Sequence, residues 1–80
     1  MIHVIATIAL AEGTRDRFLE AFNQVVPPVR AEDGCLAYGA AVDLASGLPA
    51  QPPLRPDTVV VVEVWRDLDA LRAHLVAPHM

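Results

Sequence analysis

The hydrophobic pattern of this 80-residue chain predicts an α+β domain of the ferredoxin-like, split βαβ kind. Three observations carry that prediction. Residues 2–10 and 58–65 are β-branched, apolar runs of strand length. Residues 15–32 and 68–77 repeat their apolar side chains at helical spacing. A second strand-like stretch, residues 35–44, follows the first helical segment. The order is therefore β-α-β-β-α, which lacks only the last strand of the full unit, and the length allows one domain over residues 1–80.

Residues 2–10 alternate Ile2, Val4, Ala6, Ile8 and Leu10 on one face with His3, Ile5, Thr7 and Ala9 on the other. Both sets are largely apolar, so a strand covered on both sides is expected. With no basic stretch ahead of it, the run reads as a strand and not as a secretion signal. Ala11-Glu12-Gly13-Thr14 makes a turn, with Thr14 the N-cap and Asp16 in the first helical turn. Phe18, Phe22, Val25, Val26 and Val29 then form one apolar stripe. Pro27 and Pro28 withdraw the amides that would bond the carbonyls of Asn23 and Gln24. Helical character resumes from Val29 to Glu32 before the glycine stop at Asp33-Gly34, so a kinked helix is predicted, not a broken one.

Residues 45–57 carry four prolines and form a long connection, expected to be mobile and to reach a pocket mouth. Thr58 to Trp65 is the central strand, with Glu63 and Trp65 on one face. Asp67 caps a second helix running to about Ala77, whose buried face is Leu68, Leu71 and Leu75, and Pro78 ends it.

Six arginines, no lysine and ten acids give a net charge of −4. No basic stripe is available to displace counterions from phosphates, so nucleic acid is excluded as a partner. The absence of lysine removes Schiff-base and P-loop chemistry. Cys35, the one cysteine, can form no internal disulfide, in keeping with a reducing, cytoplasmic setting. No apolar run approaches the ~20 residues that span a bilayer. A domain this small buries only about 60–65% of its unfolded surface, and strands apolar on both faces leave one sheet face in need of cover. A homodimer is expected.

Val25-Val26-Pro27-Pro28-Val29-Arg30-Ala31-Glu32-Asp33-Gly34-Cys35-Leu36-Ala37-Tyr38, the run Val60 to Trp65 and the segment Leu71 to Met80 together resemble the antibiotic biosynthesis monooxygenase family. Val4-Ile5-Ala6, Val42-Asp43 and Pro56-Asp57 are most similar to its YgiN-type quinol monooxygenases. The resemblance implies a dimeric α+β barrel with the sheets of two protomers packed together. It further implies oxidation of a small aromatic quinol or phenol by O2 with no cofactor. Relatives continue with a further helix and strand, so the chain reads as truncated at its C-terminus.

Cofactor-free oxygenation requires a dry apolar pocket and a base that generates an electron-rich substrate anion. His74 is the candidate base, about 80° from the centre of the leucine stripe and so at the edge between core and solvent. Trp65 and Tyr38 complete the catalytic set. Phe22, Val26, Glu63 and Leu71 are the candidate substrate-binding residues. Each of the three catalytic candidates also has a plainer reading: a boundary histidine, a core indole with its N–H satisfied, and a packing tyrosine. Cys35 reads as a small buried hydrophobe, with no cation beside it to lower its pKa. Glu63, a charge within a valine strand, needs a partner such as Arg66, Arg72 or a residue across a dimer interface. No metal site is expected, because His74 and His79 are about 140° apart on a helix and Pro78 stands between them.

Two other readings remain. One is a non-catalytic dimeric barrel that binds a small apolar ligand or serves as a regulatory module. The other, a haem-degrading monooxygenase of the same superfamily, lacks the first-strand asparagine that those relatives pair with the helix histidine.

Overall fold

The computed structural model describes all 80 residues. Its strands are β1 (Ile2–Ala9), β2 (Cys35–Ala41) and β3 (Thr58–Trp65), and its helices α1 (Arg15–Arg30) and α2 (Leu68–Leu75), in the order β1-α1-β2-β3-α2. The valine run is the central strand, antiparallel to β1 on one side and to β2 on the other. Val26 and Val29 of α1, Tyr38 of β2, Val61 and Trp65 of β3 and Ala70 of α2 make the core. No helix is long and apolar enough to cross a membrane.

The expectation that both faces of β1 and β3 are covered is not met within the chain. Ile5 is 65% exposed and Val62 39% exposed, and these two residues are paired across the sheet. The even-numbered residues of β1 are half-buried while its odd-numbered residues are exposed. The cause is topological: the core lies on one face of the sheet, and neither α1 nor α2 covers the other. The Cα radius of gyration is 14.2 Å, against about 12 Å for a compact domain of this length.

Helix α1 continues through Pro27 and Pro28, with Val26 and Val29 buried on either side of them. Thr14 holds the N-cap position but does not cap. Its hydroxyl donates to the carbonyl of Ala11 at 2.7 Å, and no side-chain bond reaches the helix amides. Strand β2 stops at Ala41, short of the expected Leu44, because Asp43 turns away to accept from the Arg55 amide and guanidinium at 2.9 to 3.0 Å. The connection to β3 is then tied to the far end of the sheet. Leu10 N–H donates to Asp57 O, Gly13 N–H to the Asp57 carboxylate, and Arg15 to Arg55 O. That end lies about 23 Å from Trp65, at ~3.3 Å per residue along β3. The loop therefore does not reach the end of the sheet where Trp65 sits.

Helix α2 is shorter than predicted and is rotated from the predicted face. Asp67 caps it, accepting from the Ala70 amide at 2.8 Å. Its buried residues are Ala70 and His74, while Leu68 and Leu75 are exposed and Leu71 is half-buried. Gly34 sets this rotation. It adopts φ +82°, and a Cβ placed there would lie 2.5 Å from that of Ala70. Only the small Ala70 face can approach the turn, so the leucine stripe is swung outward.

Candidate active site

The candidate residues gather at the end of the sheet where β3 finishes. Glu63 and Trp65, two apart, share the inner face, and the Trp65 indole N–H donates to Glu63 Oε1 at 2.9 Å. Tyr38 reaches the same face through a β-bulge. Strand pairing runs Cys35 to Trp65 but Ala37 to Val64, so Leu36 is the extra residue and Tyr38 comes opposite Glu63. Without the bulge, strict alternation from Cys35 would point Tyr38 outward.

His74 approaches from α2 and is fully buried, at 1% exposure. Its ring lies against Trp65, centroids 4.6 Å apart, and meets Tyr38 edge-on at 5.7 Å. Phe22 stacks on Tyr38 as well, and Phe18 on Phe22, extending the series of rings along α1. The edge position expected for His74 is thus corrected, and the cause is the rotation of α2 that Gly34 imposes.

Both imidazole nitrogens face carboxylates. Nδ1 lies 3.0 and 3.2 Å from the two oxygens of Glu32, and Nε2 lies 4.0 Å from Glu63 Oε1. An ionised carboxylate only accepts, so Nδ1–H is the donor to Glu32. Burial alone would raise the Glu32 carboxyl, but hydrogen bonds and charge attraction from His79 and His74 hold it below its ordinary value. The Tyr38 hydroxyl is pushed up by burial and by the charges of Glu63 and Glu32, and the Cys35 thiol by the same three causes.

The turn that carries Glu32 is held against the turn that leads into α2. The Arg66 amide donates to Gly34 O at 2.8 Å, and the Arg66 guanidinium forks onto Asp33 at 3.1 Å and reaches Asp67 at 3.3 Å. The expected pairing of Glu63 with Arg66 or Arg72 is absent. Arg66 is taken by Asp33 and Asp67, Arg72 sits beside Asp69, and the Trp65 indole supplies the partner instead.

Sequence reasoning overlooked Glu32 and His79. The spacing argument that kept His79 apart from His74 fails because α2 ends at Leu75, and the following turn folds His79 back onto Glu32 Oε2. Pro78 was the available signal, since a proline steers the residue before it, Ala77, out of helical backbone, so the chain leaves the helix direction ahead of His79.

The rings and aliphatic side chains fill the space between α2 and the sheet. No cleft is bounded by His74, Trp65, Phe22, Val26, Glu63 or Leu71. The nearest is a groove of about 500 Å³ beside α2, lined by Glu32, His79, Asp33, Asp69 and Arg66 among others, which meets the cluster from its outer side. A second cleft, along β2, is bounded by Tyr38 and Arg30, and the Arg30 side chain donates to Tyr38 O there.

The split βαβ fold sets the class, and the chain belongs to the antibiotic biosynthesis monooxygenase family, which it matches over residues 1–80. It is thereby placed among monooxygenases. It is 40% identical to the probable quinol monooxygenase YgiN of Escherichia coli over 82 aligned positions, covering all of this chain and 78% of that protein. Among solved structures it resembles PA3566 of Pseudomonas aeruginosa (31% identity, TM-score 0.75, 96% of this chain and 69% of that one). It also resembles a crystallised antibiotic biosynthesis monooxygenase (30% identity, TM-score 0.77, 99% and 74%).

Proposed function

We propose that the protein is a homodimeric, cytoplasmic monooxygenase that oxidises a quinol or related phenol with O2 and no cofactor. The observation that carries this reading is the buried His74, donating through Nδ1 to Glu32 and lying against Trp65. With its proton on Nδ1, the ring has a lone pair on Nε2 to take the phenolic proton. Glu63, 4.0 Å from Nε2, steadies the imidazolium that results. Trp65 and Tyr38 wall the substrate ring, with Phe22, Val26 and Leu71 as its apolar surroundings. These side chains fill the space in the structure, so binding requires them to move apart.

The anion passes one electron to O2, and the resulting radical pair joins to form a C–O bond. The peroxide then loses water to leave a hydroxyquinone. Quinol plus O2 gives hydroxyquinone plus H2O, so the quinol supplies all the electrons and no external reductant is consumed. The dimer reading rests on the uncovered sheet face, where Ile5, Val60, Val62 and Val64 lie together.

The test is oxygen consumption with a panel of hydroquinones in the presence of EDTA and without flavin. The expected result is one O2 consumed per quinol with a hydroxylated product, and absence of turnover across the panel refutes the reading. The filled space around His74 favours a second reading, a binding or regulatory dimer in which the cluster only fixes the fold. Saturable quinol binding without oxygen uptake would establish that reading instead.

A further inference from the structure

We propose that Glu32, His74 and His79 form a binding site for a divalent transition metal of the zinc type. Three donor atoms, Glu32 Oε2, His74 Nδ1 and His79 Nε2, converge from three separate segments and lie within 4.8 Å of one another. Zinc holds nitrogen and oxygen ligands at about 2.0–2.2 Å, which spaces ligand atoms roughly 3.0–3.5 Å apart. His74 Nδ1 already stands 3.0 Å from Glu32 Oε2, and His79 Nε2 closes on the same oxygen from the other side. A metal ion would enter as Glu32 and His79 part and the donor atoms now up to 4.8 Å apart draw together to about 3.5 Å.

The surroundings match what such a site needs. His74 is fixed in orientation by Trp65 and Tyr38, and its second nitrogen faces Glu63, the outer carboxylate that commonly accompanies a ligating histidine. On the opposite side the groove beside α2 opens onto Glu32 and His79, leaving room for water as a further ligand. Asp33 and Asp69 also line that groove, and its one cation, Arg66, is held by Asp33 and Asp67. Two imidazoles and one carboxylate select a borderline ion such as Zn2+ or Co2+ over Mg2+ or Ca2+, which prefer all-oxygen ligand sets. The inference shares His74 and Glu32 with the proposed oxidation: a metal on Nδ1 displaces the proton donated to Glu32 and leaves Nε2 protonated, so the two states exclude each other, and the oxidation is assayed in EDTA.

The test is calorimetric titration of the EDTA-treated, dialysed protein with ZnCl2. Wild type, His79→Ala, Glu32→Gln and His3→Ala are compared, each checked for native far-ultraviolet circular dichroism. The expected result is one Zn2+ per chain, with affinity lowered at least about tenfold in His79→Ala and in Glu32→Gln and unchanged in His3→Ala, whose histidine is on the uncovered sheet face. Millimolar Mg2+ should not compete. His79 sits in a partly exposed turn after α2, so its replacement tests the site even where Glu32→Gln disturbs folding. Failure to bind Zn2+, or undiminished affinity in folded His79→Ala, overturns the assignment. Loss of binding in His3→Ala overturns it equally, because the metal would then sit on the other face of the sheet.

Discussion

Gly34→Ala should damage stability well beyond what its backbone angle alone accounts for. A Cβ at position 34 would lie 2.5 Å from the Cβ of Ala70 and 3.4 Å from the Arg66 guanidinium. Two carbons need about 3.5 Å, so α2 has to retreat by roughly 1 Å or the turn has to open. Two costs combine. Holding an L-residue in the left-handed region costs about 1–2 kcal/mol, and overpacking a well-filled contact adds about 1–3 kcal/mol. Gly13 separates them, because it has φ +75° with nothing within 4 Å of its added Cβ. Gly13→Ala should therefore carry only the first cost, and Gly34→Ala both. The assay is urea denaturation of each variant, comparing midpoints at unchanged slope. Adding Ala70→Gly to Gly34→Ala should recover the packing part, less about 1 kcal/mol for glycine within a helix. Equal destabilisation by Gly34→Ala and Gly13→Ala would refute the claim that this contact sets the rotation of α2 and so buries His74.

Trp65→Ala should cost about 3–5 kcal/mol, since the indole is fully buried and its loss also leaves Glu63 without its donor; urea midpoints measure this. Asp67 is held below its ordinary pKa, first by the Ala70 amide and then by Arg66. A depressed carboxyl stabilises the fold above its unfolded pKa and loses that effect as pH falls through the folded value, so acid unfolding should begin below about pH 4. In Asp67→Ala the thermal midpoint should be lower at neutral pH and depend less on pH in the acid range. Ile5→Lys, on the uncovered sheet face, should give a monomer mass by light scattering at micromolar concentration where the native chain gives a dimer, and a dimer mass for the variant would count against that face as the interface.

The framework of the fold was legible because it rests on local chemistry. The valine run from Thr58 to Trp65, the Asp67 cap and the continuation of the first helix beyond Pro27-Pro28 all follow from side-chain branching, hydrogen-bonding capacity and period. What escaped depends on contacts distant in sequence. The burial of His74 is set by Gly34 meeting Ala70, 36 positions away, and no helical wheel of residues 68–77 contains that information. Glu32 joins His74 across 42 positions, and the inward direction of Tyr38 depends on one bulged residue, Leu36. Two-sided apolar strands led to the expectation of cover on both faces, but the chain itself covers one face only.

The central claim is that His74 is the base of a cofactor-free oxygenation. It is tested most directly by the pH profile of quinol-dependent oxygen consumption in wild type and in His74→Gln, both in EDTA. Glutamine is preferable to alanine because His74 is fully buried and alanine would leave a cavity between Trp65 and Tyr38. A phenolic group with a pKa of about 10 is ionised in only about one molecule per thousand at neutral pH, and general-base assistance is worth about 10²–10⁴-fold. The account predicts that folded His74→Gln turns over at least about tenfold more slowly at pH 7 and recovers as pH rises toward the substrate's own pKa. Full activity of folded His74→Gln from about pH 6 to 9, across the range where a free imidazole loses its proton, would contradict it.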